Sequence, residues 1–257
     1  MTVFRRFRIM TLLYVLLLVA GGAWLAGSRS TSWEKPLRVT LYPIAGDASE
    51  ATRSYLQRLQ PDFFVEIDEF FALHAARYGV ALAQPVRISL GPEVKELPPA
   101  PPTGGNPLAV MLWSLNLRWF SNFAPEDDET YPMVRIFVVY YDPELSPQLT
   151  HSLGLRKGLV GVVNAFATRR MTGSNAVLIA HELLHTLGAA DRYDPRTALP
   201  TYPAGYAEPD RSPLYPQRFA EIMGGRVPLA PDRAAIPRRL NRVVIGPLTA
   251  REIRWTR

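Results

Sequence analysis

Residues 174–194 read SNAVLIAHELLHTLGAADRYD, and this stretch decides how the rest of the chain is read. On a helix, His181 and His185 are four residues apart and share one face. Neutral imidazole is a good zinc ligand, and two such side chains can converge on one ion. Glu182 follows the first histidine, the position from which an H-E-x-x-H helix supplies the general base toward zinc-bound water. Gly188 comes three residues after His185, where a helix that must stop abruptly needs a positive φ. Asp191 arrives three residues later. Two imidazoles and one carboxylate would leave Zn2+ an open position for water. A four-letter spacing also arises by chance. Here the apolar helical flank NAVLIA and the offsets of Gly188 and Asp191 coincide with it, and the chain has only four histidines.

The N-terminus sets the compartment. Residues 11–27, TLLYVLLLVAGGAWLAG, carry no charged side chain, and Arg5, Arg6 and Arg8 precede them. A membrane-spanning helix needs roughly 20 apolar residues, with about 17 as the lower bound. Arginines before the segment and an uncharged exit favour a cytoplasmic N-terminus with the rest of the chain crossing. Residues 1–28 are therefore expected to be a signal anchor in the inner (cytoplasmic) membrane, or else a cleaved signal peptide. The domain would lie in a periplasm or at a cell surface, and would be secreted if the leader is cut. Half of the net charge of +6 sits in this leader, and the remaining basic residues form no stripe. That composition argues against a nucleic-acid partner. The absence of cysteine excludes disulfides, thiolate nucleophiles and cysteine-ligated zinc.

Residues 29–36 read as a polar spacer and 37–257 as one domain. Strands are expected at 37–44, 85–91, 134–142, 159–167 and 242–248, from β-branched and alternating runs. Helices are expected at 47–60, 62–78, 108–123 and 174–188. The proline-rich stretch 92–107 reads as a loop and EDDET (126–130) as a solvated acidic turn. The order is β/α up to the motif helix and irregular after it, so the fold class is α/β with a twisted mixed sheet and a loop-rich C-terminal part. His74 and His151 have no partner at ligand spacing and read as ordinary core or surface histidines.

The run HELLHTLGAAD resembles the extended signature H-E-x-x-H-x-x-G-x-x-[HD] of the metzincin zinc proteases. With aspartate last, it is similar to the minority pattern of the snapalysin-type enzymes. The resemblance covers roughly residues 174–225. It implies a zinc peptidase that hydrolyses peptide or protein substrates, with a Met-turn beneath the metal. The candidate for that turn is AEIMGG, residues 220–225, with Met223. It also implies a strand bordering the cleft and pairing with extended substrate, for which 160–167 is the candidate.

Several readings stay open at this point. Glu221 is an alternative third ligand to Asp191, or could orient a ligating histidine. Tyr193 could stabilise an oxyanion, pack as an aromatic or touch substrate. Arg192 could anchor a substrate carboxylate. An amidase acting on cell-wall or modified peptides, and a non-catalytic scaffold at the membrane, are the competing functions.

Overall fold

A computed structural model describes residues 7–11, 14, 30–102, 106–125, 134–149, 152–155 and 159–256. Most of the expected anchor, the EDDET turn and His151 lie outside these residues. No helix among the described residues is long and apolar enough to cross a membrane.

The chain opens with β1 (Leu37–Ala45), α1 (Glu50–Gln57) and α2 (Val65–Arg77), followed by β2 (Val86–Leu90) and α3 (Pro107–Ser121). It continues through β3 (Val134–Tyr141), β4 (Leu153–Gly154), β5 (Val160–Phe166) and α4 (Thr172–Leu187). The C-terminal part holds only short pieces: β6 (Ala220–Glu221), β7 (Val227–Ala230), β8 (Arg233–Ala235), β9 (Val243–Val244) and α5 (Pro247–Glu252). The fold is thus α/β, with one mixed sheet in the order β2-β1-β3-β5-β4 and helices around it.

The first four strands in that order are parallel, in registers such as Leu37↔Val86, Val39↔Val134 and Arg135↔Val160. β4 runs antiparallel to β5 on its outer side, pairing Leu153 with Val162. Parallel strands covered on both faces read as near-continuous apolar runs, and β1 and β3 do so. One face packs Val39, Leu41, Ile136 and Val138 against α1, α2 and α4. The other packs Tyr42, Phe137 and Val139 beneath Leu117 of α3.

Local signals place the helix ends. Ser49 caps α1, its side chain accepting from Thr52 N at 3.0 Å, which starts that helix three residues later than its periodicity suggests. Pro61 opens a 3-10 turn, Pro61–Phe64, before α2. Gly188 ends α4 at φ 109°, with Gly188 N and Ala189 N returning to the carbonyls of His185 and Leu184. The expected strand at 242–248 shrinks to Val243–Val244, because Pro247 begins α5 at a position where its missing N–H costs nothing.

Candidate metal centre

Helix α4 packs on β5, β4 and β3, and His181, Glu182 and His185 come together on one of its faces, Glu182 buried and the two histidines half-buried. Their ligand atoms lie within 4.8 Å of one another. His181 Nδ1 is 2.9 Å from the carbonyl of Ile222, and His185 Nδ1 is 2.9 Å from that of Ala189. A carbonyl oxygen only accepts, so each Nδ1 carries the hydrogen and each Nε2 presents a lone pair. The two Nε2 atoms are 3.1 Å apart and point at the same spot.

The helix stop at Gly188 turns the chain back so that Asp191 closes the group. Its Oδ1 lies 3.2 Å from His181 Nε2 and 3.1 Å from His185 Nε2. Three lone-pair donors in a triangle of 3.1–3.2 Å edges repel one another unless a positive charge sits among them. A tetrahedral zinc ion with bonds of ordinary length would hold such donors about 3.3 Å apart. The residues present therefore fit that ion. The surroundings favour a positive charge at this point: burial opposes protonation of His181, but the hydrogen bond to Asp191 and the charge of Glu182 override it and raise its pKa to about 9, so without a metal ion a proton takes the place on Nε2 that the ion would otherwise hold. Asp191 is held well below the usual carboxylate range. Burial raises it, but hydrogen bonds to both imidazoles outweigh that.

Several polar supports hold this arrangement from the C-terminal part. The turn Ile222–Gly224 delivers the carbonyl that orients His181, and Met223, buried, accepts from Arg192 N through its own carbonyl at 2.8 Å. Glu221 is fully occupied with that turn. Its Oε2 accepts from Met223 N (2.7 Å) and Gly224 N (3.0 Å), and its Oε1 from Gly246 N (3.0 Å) and Thr249 Oγ1 (2.7 Å). Four donors use the acceptor capacity of the carboxylate, so Glu221 braces the backbone whose next carbonyl orients His181. It does not hydrogen-bond the imidazole directly, as one expectation had it.

Arg192 also differs from expectation. Its guanidinium pairs with Glu252 at 2.9 Å, and the same Glu252 oxygen accepts from Ala190 N at 3.0 Å. The residues flanking Asp191 are thereby tied to α5. The backbone is also packed tightly here. A Cβ on Gly224 would run into the carbonyl of Gly205, and one on Gly205 into the carbonyl of Arg192.

A cavity of about 370 Å³ opens beside the cluster, and Glu182 and His181 form part of its wall. Phe166, Met171, Val177, Leu178 and Ile236 make it largely apolar. Tyr193 lines it too, and its phenol is pushed up to about 12 by burial and by the neighbouring charges of Asp191 and Glu182. At neutral pH it therefore keeps its proton. β5 is not the bare edge expected of a substrate-pairing strand. β4 covers Val162, Ser152 Oγ accepts from Asn164 N, and the Asn175 amide bonds both the N–H and the carbonyl of Phe166. The outermost strand is β4.

The sequence reading missed Glu252, Asn175 and the Ile222 carbonyl. Only Asn175, a lone amide in the apolar flank of the motif helix, left a visible signal. His74 sits in the core, 2% exposed, with its ring 4.6 Å from that of Phe70. No protein-family model matches the chain, and no curated protein matches it either.

Proposed function

We propose that this chain is a zinc-dependent peptidase of the metzincin type with an aspartate third ligand. We further propose that residues 1–28 tether it to the membrane with its domain outside the cytoplasm. The observation that carries the enzymatic reading is the triangle of His181 Nε2, His185 Nε2 and Asp191 Oδ1, with the buried Glu182 beside it. These three donors would hold the ion. Zinc, when bound, supplies Lewis-acid activation of water and of the scissile carbonyl.

The chain's own residues do the rest. The carbonyls of Ile222 and Ala189 fix the imidazole tautomers. Glu182 takes the proton from the attacking water and passes it to the leaving amine nitrogen. Tyr193, protonated at working pH, donates a hydrogen bond toward the developing oxyanion. The apolar cavity accepts one bulky apolar side chain of the substrate beside the bond being cut. That combination favours a peptide over a small modified amide.

The test uses the full chain purified in detergent, with metal content and hydrolysis of a mixed peptide library read on the same samples. Wild type is expected to hold one zinc and to cleave. Glu182→Gln is expected to keep the zinc and lose at least ~100-fold in rate. A folded wild type that takes up no zinc from a buffered solution would refute the reading. A zinc-loaded wild type that cleaves nothing would leave the scaffold reading in its place.

A further inference from the structure

Helix α5 is six residues long, too short to hold its own shape, since isolated helices under about 12 residues are marginal in water. What surrounds it therefore fixes where it sits. Both sides of the metal cluster lean on it. At its C-terminal end, the Glu252 carboxylate accepts from Ala190 N at 3.0 Å and pairs with Arg192 at 2.9 Å, on either side of Asp191. At its N-terminal end, Gly246 N and Thr249 Oγ1 donate to Glu221, and Glu221 accepts in turn from Met223 N and Gly224 N. Those amides belong to the turn whose Ile222 carbonyl meets His181 Nδ1. A shift of α5 thus reaches two of the three metal donors, by separate routes.

The segment before the first strand docks on this helix. Ser30 and Thr31 are buried, and Trp33 Nε1 donates at 2.7 Å to the carbonyl of Ile253, the residue next to Glu252. The Trp33 ring packs edge to face on Trp255 at 5.6 Å, and the Trp255 ring lies 6.1 Å from that of Tyr78. Tyr78 Oη donates to Ile245 O at 2.8 Å, one residue before Gly246. This aromatic group thus grips the chain just outside both ends of α5. The backbone of Trp33 is in the left-handed region, at φ 54°. A bulky side chain occupies that region only where its surroundings hold it there. Here the indole hydrogen bond and the ring contact do so, and 220 residues of sequence separate Trp33 from Ile253.

We infer that Trp33 is a positioning residue of the metal centre: the docking of residues 30–36 on α5 sets how Asp191 and His181 meet the ion. Trp33 is not itself a donor and acts through Glu252 and Glu221. Hydrogen bonds to these carboxylates fix direction as well as distance, so a displacement of α5 is passed on rather than absorbed. Groups that orient metal ligands tune affinity ~10- to 100-fold, and Trp33 stands one step behind them. The inference rests on the zinc reading proposed above, and its test separates the two.

The full chain is purified in detergent as wild type, Trp33→Ala, Trp33→Phe and Val139→Ala. Val139 belongs to a different apolar cluster from Ile253, so its truncation controls for lost stability alone. Zinc affinity per folded molecule is read by chelator competition. Exchange of the Ala190 and Met223 amides is read by hydrogen–deuterium exchange on the zinc-free protein. The expected result is binding weakened about 10-fold in Trp33→Ala. The loss is smaller in Trp33→Phe, which keeps a ring but lacks the N–H. Both amides should exchange faster in these two variants than in Val139→Ala. If Trp33→Ala does not fold, Trp33→Phe decides. Affinity no weaker than in Val139→Ala overturns the inference and leaves the zinc reading in place. So does weaker binding with unchanged exchange at both amides, because the loss would not have passed through α5. A wild type that takes up no zinc removes the zinc reading, and this inference with it.

Discussion

Residues 37–187 and 188–256 share one apolar core but differ in how their polar groups hold the backbone. The first part is a lattice of apolar side chains in which Ile179 and Leu183 of α4 are fully buried against the sheet. The second adds Ile222, Met223, Leu240, Ile245 and Ile253 to the same core and is braced besides by carboxylates and close backbone contact: Glu221 accepts four hydrogen bonds, Glu252 gathers Ala190 and Arg192, and Gly224 lies on Gly205. The candidate centre sits on the seam. Its imidazoles and Glu182 come from the first part, and Asp191 and the Ile222 carbonyl from the second. Apolar burial is non-directional and stabilises in proportion to area, whereas charge-assisted hydrogen bonds fix where an atom sits. The shared apolar core thus supplies stability, and the polar bracing of the second part adds placement.

Substitutions can break this division. Leu183→Ala should cost the most stability, about 4 kcal/mol by chemical denaturation, while the folded fraction keeps its metal. Loss of metal per folded molecule would show that placement depends on the apolar lattice after all. Glu221→Gln sets an amide NH₂ against backbone donors, and should cost about 3 kcal/mol. It should also weaken zinc binding ~10- to 100-fold through the Ile222 carbonyl. A folded variant with unchanged zinc affinity would remove the turn from the site. Gly188→Ala, at φ 109°, should cost about 1–2 kcal/mol and shift the segment carrying Asp191, seen as weaker zinc binding in a chelator competition. Glu252→Gln should cost about 1 kcal/mol, with a smaller loss of affinity by the same assay.

The smallest expected effect is on the acid side of the stability profile, where a buried and a half-buried group in the first part oppose each other. His74 is lowered to about 4 by burial and by Arg77, so between its ordinary value near 6.5 and about 4 only the unfolded chain takes up its proton. Stability from His74 is lost as pH falls through that window. Asp68 is raised to about 6 by burial, so the native state holds a proton that the unfolded chain releases above about 4. Its contribution grows as pH falls through nearly the same window. Relative to wild type, His74→Phe should gain stability from pH 6.5 to 4 and Asp68→Asn should lose it, read from denaturation midpoints. A pH-independent difference for either variant would mean that the group it replaces titrates as it does in water.

The same contrast explains what could be read without coordinates. β1, β3 and β5 are central strands whose near-continuous β-branched runs announce them, and α4 carries its own stop signal in Gly188. The triad of His181, Glu182 and His185 follows from helical spacing alone. β4 is two residues long and has no period to detect. The final strand is shorter than the run Val243, Val244 and Ile245 suggests, because Pro247 starts a helix. Bracing by Glu252 reaches Ala190 across 62 residues of sequence, and a backbone carbonyl such as that of Ile222 has no letter of its own. The anchoring role of Glu221 was hidden by its chemistry, since a carboxylate near a metal motif looks like a ligand until its donors are counted.

One asymmetry in the cluster concerns access. The imidazoles of His181 and His185 are only 11% and 15% exposed, while the Asp191 carboxylate is 42% exposed. If the cluster holds a metal ion as proposed, an ion arriving from solvent would meet the carboxylate first, and a chelator would attack from the same side. The imidazoles stay locked to their carbonyls whether or not the carboxylate lets go. Loading and stripping would then be a single-door process, in which the rate of exchange belongs to Asp191 and the memory of the site's shape to the helix behind it.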